Sequence, residues 1–190
     1  MSNQKIEKKE DLKEIKKYAL GDDDIQEILE PDTSIFTYPE LYDKSNIDEI
    51  FDDKGRAIML YLTEDESTGH WVGLIKKGNT IEMYDPYGFK PDTQPNHLGA
   101  NKQLNKKFGQ NYPKFTEMVK DGGYKLIYNK QRAQPFKDFN NTCGRHAITR
   151  LLLHNLPLKQ YNKFFKNIKK NDNINADDLI TAFTYQFIGK

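Results

Sequence analysis

Three observations predict an α+β fold. Short apolar runs of strand character are confined to the middle of the chain, one apolar run of helical character follows a lone cysteine at position 143, and both ends carry charged segments with helical spacing. The strands read as a mixed central sheet packed by the Cys143 helix. The 190 residues suffice for a single domain with a sizeable core. It divides into a helical N-terminal cap over residues 1–50, a core over 56–155 and closing helices over 157–190.

The elements follow in order. Leu12, Ile15, Tyr18 and Ala19, then Ile25, Ile28 and Leu29, recur at helical spacing until Pro31 ends the run. Ala57 to Leu62 is uninterrupted apolar sequence and reads as a buried strand. Trp71 to Ile75 and Thr80 to Tyr84 form a hairpin turned by Lys76-Lys77-Gly78-Asn79. Residues 86–97 hold three prolines and a glycine and read as loop. Gly99 to Phe108 is assigned as helix, Tyr124 to Tyr128 as a strand, and the residues after it as a long loop. The cysteine helix runs from about 143 to 155 and stops at Pro157, with Lys159 to Ile168 and Ala176 to Phe187 as the last helices.

Composition narrows the function classes. The balance of 29 basic and 28 acidic residues leaves a net charge of +1, which provides no global attraction to nucleic acid. Local basic clusters at Lys102 to Lys107 and Lys166 to Lys170 read as solvated helix faces. The first ten residues lack the apolar stretch of a signal peptide, and no segment approaches the roughly 20 apolar residues needed to span a bilayer. A soluble protein of a reducing compartment is expected. The single cysteine has no disulfide partner within the chain.

Cys143 stands at the mouth of a helix, where unpaired N–H groups and the helix dipole favour a thiolate over a thiol. Thiol-dependent peptide hydrolysis needs a base, a group to orient it and donors for the oxyanion. His70 begins one strand of the hairpin and Asp85 ends its neighbour, so antiparallel pairing brings both to one edge. Gln134, on the loop before the cysteine, could join the Cys143 N–H as oxyanion donor, with Gln131 in reserve. Each residue alone has a plainer role: a buried small thiol, a strand-end histidine, an Asp-Pro turn, an ordinary glutamine. Their joint presence carries the case.

His146 shares a helix face with Cys143 but lacks an evident orienting carboxylate, so it is assigned as a packed or hydrogen-bonding residue. Cys143, His146 and His154 supply a four-ligand zinc site poorly. No metal or cofactor is expected. Trp71 either shields His70 or belongs to the core.

Taken together, Gly69-His70-Trp71-Val72, an apolar strand, Tyr84-Asp85-Pro86-Tyr87-Gly88-Phe89, Gln134 and Thr142-Cys143-Gly144 resemble the adenovirus maturation protease (adenain) family, which shares a fold with the SUMO-specific proteases. The order His, acid, Gln, Cys is that family's order and the reverse of papain's. Cys143-Gly144-Arg145-His146 before an apolar helix is most similar to the proteases of virophages and Polinton or Maverick elements. The resemblance covers residues 56–155. It implies an adenain-like fold, with Cys143 as nucleophile, His70 as base and then acid, Asp85 as orienting acid and Gln134 as oxyanion donor. The implied substrates are viral capsid or virion precursor polypeptides cut during particle maturation, with small residues around the scissile bond. The implied setting is the virion and a cytoplasmic viral factory, and a monomer is expected.

The sequence departs from adenain in three ways. With one cysteine, a disulfide-linked activating peptide is excluded. The interval from Gln134 to Cys143 is longer. The near-neutral charge provides no reason for activation by DNA, although a noncovalent peptide or DNA activator stays open. Two other functions also stay open: a ubiquitin-like or SUMO deconjugating protease, and a non-catalytic virion binding protein that retains the fold.

Overall fold

A computed structural model describes residues 11–98, 102–136, 140–171 and 175–188. Its centre is a five-stranded mixed sheet in the order β1-β2-β3-β4-β5, formed by Ser34–Thr37, Arg56–Leu62, Gly69–Lys77, Thr80–Tyr84 and Lys125–Tyr128. β1 lies parallel to β2, β2 to β4 run antiparallel in turn, and β5 returns parallel to β4. All seven residues of β2 are buried: the apolar run Ala57 to Leu62 suits a strand covered on both faces, and Arg56 is paired with Asp52 and Glu30. The hairpin closes at Gly78-Asn79, with Lys77 opposite Thr80 and Gly78 at φ +55°.

Strand alternation divides the core into two layers. Ala57, Met59, Tyr61, Val72, Leu74, Ile81 and Met83 face one side, where helix α5 (Lys114–Asp121) contributes Phe115, Met118 and Val119. Ile58, Leu60, Trp71 and Ile75 face the other, against Ala147, Ile148 and Leu151 of helix α6 (Cys143–Leu152). Gly73 permits that approach: a Cβ there would stand 3.3 Å from the Ala147 carbonyl oxygen and 3.4 Å from Leu151. Helices α1 (residues 11–17) and α2 (Asp22–Ile28) precede the sheet, and α7 (Leu158–Asn171) and α8 (Ala176–Tyr185) follow α6.

Three expectations are corrected. Residues 1–50 are not a purely helical cap, because Ser34–Thr37 forms β1, an integral edge of the sheet, followed by two 3₁₀ turns at Tyr38–Asp43 and Ile47–Ile50. The 86–97 loop contains one helical turn, α3 at Gln94–His97, which tolerates Pro95 because a first-turn N–H has no intrahelical acceptor. Helix α5 lies in a stretch for which the sequence predicts no element. The helix expected over Gly99 to Phe108 is present as α4 (Lys102–Lys107), whereas residues 99–101 and the N-terminal ten lie outside the described residues. Among the described residues, no helix is long and apolar enough to cross a membrane.

Candidate functional site

β3 outruns its partner. Pairing with β4 begins at Gly73 opposite Tyr84, so residues 69–72 continue past the end of β4 on that side. His70 lies on this overhang and Asp85 directly follows β4. Both are buried, and His70 Nε2 stands 3.0 Å from Asp85 Oδ1. A carboxylate only accepts, so Nε2 carries the proton and donates. The other ring nitrogen, Nδ1, is left for the remaining partner of His70, the sulfur of Cys143 at the mouth of α6.

Asp85 is fixed from several directions. Its Oδ1 also accepts from the Tyr87 N–H at 2.7 Å, and its Oδ2 from Gln94 Nε2 at 2.7 Å. Asn129 clasps the backbone, accepting from Asp85 N–H at 2.8 Å and donating to its carbonyl at 2.6 Å. The Tyr87 ring lies over His70 with centroids 4.8 Å apart and planes at 16°. Phe136, exposed, stands 4.8 Å from Tyr87 and extends this aromatic wall outward.

The electrostatics of the pair are reciprocal. Burial opposes charge on His70, but the Asp85 carboxylate outweighs it, the Cys143 sulfur adds to it, and the imidazole is raised above its ordinary value. Burial likewise pushes the Cys143 thiol up, yet His70 and the backbone N–H groups of Trp71 and Gly144 prevail and hold it below its ordinary value. A half-buried thiol of lowered pKa, paired with an imidazole that a buried carboxylate orients, can supply a nucleophile and move its proton.

The loop from 130 to 135 is tied to the Asp85 turn. Pro86 carbonyl accepts the N–H groups of Ala133 and Gln134 at 2.9 and 3.0 Å, and Gly88, at φ +74°, leaves no room for a Cβ beside Gln131. Gln134 is buried and its Nε2 donates to the carbonyl of Asn140, three residues before Cys143, at 2.8 Å. Its Oε1 is buried without a partner among the described residues. Gln131 is exposed and offers its carbonyl to Asn129. A cavity of about 700 Å³ lies behind this loop, lined by Tyr84, Gln134, Tyr161, Phe165 and Asp177. Neither Cys143 nor His70 lines it.

His146 does have a carboxylate, contrary to expectation: its Nε2 stands 3.1 Å from Asp177 Oδ1, both fully buried. Asp177 also accepts from Thr142 and Lys16. The sequence brought out neither this cluster nor Asn129, Gln94 and Tyr87 around Asp85. Tyr87 alone stood within a motif already singled out. Trp71 belongs to the core: it is buried and its Nε1 donates to the Leu20 carbonyl at 3.0 Å, while the ring over His70 is that of Tyr87. His154, two residues past the end of α6, donates Nδ1–H to the Leu151 carbonyl at 2.9 Å.

No protein-family model matches the chain. The chain is similar to a protein of Sputnik virophage named "Uncharacterized protein V9", with 28% identity over 176 residues that span 92% of this chain and 98% of the relative. It is thus related to a virophage protein over nearly its whole length.

Proposed function

We propose that the chain is an adenain-like cysteine endopeptidase that cleaves viral precursor polypeptides during particle maturation. The observation that carries this reading is the assignment of the two His70 nitrogens: Nε2 is consumed by a buried, multiply anchored Asp85, which leaves Nδ1 to the Cys143 sulfur at a helix mouth. A structural histidine would need only the first of these partners.

In the proposed mechanism His70 Nδ1 takes the Cys143 proton and the thiolate attacks the substrate carbonyl carbon. The oxyanion is met by the Cys143 N–H and the side-chain amide of Gln134, which is favoured over the exposed Gln131 because it is buried and tied to Asn140, three residues before Cys143. His70 then protonates the departing amine, and a water activated by the same imidazole releases the acyl group from sulfur. The Tyr87–Phe136 wall suits an extended, slender peptide. Similarity to a virophage protein supports the structural polypeptides of a virus particle as the substrate source, with action in the viral factory and the assembling virion.

The test incubates the wild type and Cys143→Ala with the structural polypeptides of a virophage particle, followed by N-terminal sequencing of the products. Discrete fragments from the wild type alone are expected. Cleavage of SUMO or ubiquitin conjugates with the particle polypeptides left whole would replace this reading with a deconjugating one, and identical fragments from Cys143→Ala would end it.

A further inference from the structure

Asp177, in the first turn of α8, is buried and gathers donors from three places outside its own helix. The Thr142 hydroxyl reaches it at 2.5 Å, His146 Nε2 at 3.1 Å and Lys16 Nζ at 2.8 Å. Thr142 is the residue from which α6 springs. A threonine there ordinarily turns its hydroxyl oxygen to the N–H of the second or third helical residue. Among the described residues Thr142 makes no such capping bond, and its hydroxyl proton goes to Asp177 instead.

The residue before it is held by the same neighbours. Asn141 N–H donates to the Lys16 carbonyl at 2.8 Å and its Nδ2 to the Lys17 carbonyl at 2.7 Å. Lys16 therefore holds both Asp177 and the approach to Cys143, and its charge balances a carboxylate that would otherwise oppose a nearby thiolate. A Thr142 oxygen turned into the helix mouth would occupy an amide N–H and set its lone pairs beside the sulfur. Both effects would weaken an anion there.

We propose that Asp177 is a positioning residue: by drawing the Thr142 hydroxyl away from α6, it leaves the amides of the helix mouth to the Cys143 thiolate and the oxyanion. This rests on the reading of Cys143 as nucleophile. The full chain is compared with Asp177→Ala, Asp177→Asn, Thr142→Val and the double variant Asp177→Ala/Thr142→Val. For each, kcat and KM are measured on a cleaved peptide, and iodoacetamide alkylation of Cys143 is followed against pH.

Asp177→Ala lowers kcat about a hundredfold at unchanged KM, the scale of losing one oxyanion donor, and slows alkylation at neutral pH. The same substitution in the Thr142→Val background changes either rate less than twofold, and Asp177→Asn, which keeps an acceptor for Thr142, recovers most of the loss. Equal losses in both backgrounds would overturn the proposal, because Asp177 would then act through the fold at large. Should Asp177→Ala not fold, Thr142→Asn decides: asparagine is a strong N-cap, so kcat drops if the proposal holds, and wild-type turnover overturns it. A wild type that cleaves no peptide would sink the protease reading alone, since the alkylation series still reports whether Asp177 acts through Thr142.

Discussion

Replacing Asp85 by asparagine tests the coupling on which the site depends. The substitution keeps an acceptor for His70 Nε2 and the Tyr87 N–H, and it keeps the backbone clasp of Asn129. What it removes is the negative charge 3.0 Å from a buried imidazole, together with the Oδ2 acceptor of Gln94 Nε2, so Gln94→Ala is the control for the lost amide contact. A hydrogen bond to a charged group contributes about 1.5–3 kcal/mol, and one pKa unit corresponds to about 1.4 kcal/mol. The imidazolium loses support of about that size, and the thiolate that leans on it is driven toward the thiol form. The assay is the rate of iodoacetamide alkylation against pH. The wild type is expected to titrate well below the free-thiol value of about 8.5, and Asp85→Asn to shift that midpoint upward. Superimposable profiles for the two proteins, or a wild-type midpoint at the free-thiol value, would show that the Asp85 charge does not reach Cys143.

Three further predictions follow from the same structure. Glu82→Ala leaves Arg150, buried and paired with both carboxylate oxygens at 2.7 and 3.0 Å, without its counter-charge; denaturant unfolding should show a loss of about 3–5 kcal/mol, with the Cys143 titration midpoint unmoved in protein that remains folded. Gly88→Ala forces a side chain into a left-handed backbone 3.0 Å from Gln131; it should cost at least the roughly 1–2 kcal/mol of that conformation and lower kcat by displacing the loop that carries Gln134. Burial pushes the Asp177 carboxyl up, but His146, Lys16 and Thr142 outweigh it and hold the group well below the usual carboxylate range. The unfolded chain then binds the extra proton, so the stabilisation is complete above about pH 4 and is lost as the pH falls below it. Asp177→Asn should flatten that acid slope in a series of unfolding curves, and a slope equal to that of the wild type would contradict the assignment.

What the sequence made legible follows the strength of its local signals. The hairpin and the cysteine helix were readable because apolar runs flank Lys76-Lys77-Gly78-Asn79, where the turn narrows to Gly78-Asn79, and follow Cys143, although that helix ends at Leu152, short of the expected 155. β1 was not, since Ser34-Ile35-Phe36-Thr37 is four residues long, lies on an edge, and owes its extended state to β2 alongside it. Pro95 disguised α3 as loop. Helix α5 carries Phe115, Met118 and Val119 at helical spacing, but its eight residues form only about two turns. The approach of His70 to Asp85 was foreseeable from antiparallel pairing, because the hairpin fixes it locally. The carboxylate of His146 was not: Asp177 lies 31 residues away and is brought in by the docking of α8 on α6. The choice between Gln134 and Gln131 likewise depends on burial, which the composition of a loop does not encode.

The most direct test of the central claim is the cleavage profile of a proteome-derived peptide library, read by mass spectrometry for the wild type and Cys143→Ala side by side. The thiol mechanism predicts new termini at a consistent sequence with the wild type and none with Cys143→Ala, whose unfolding curve should remain cooperative. The same termini in both samples would contradict it, because hydrolysis would then not pass through the Cys143 sulfur.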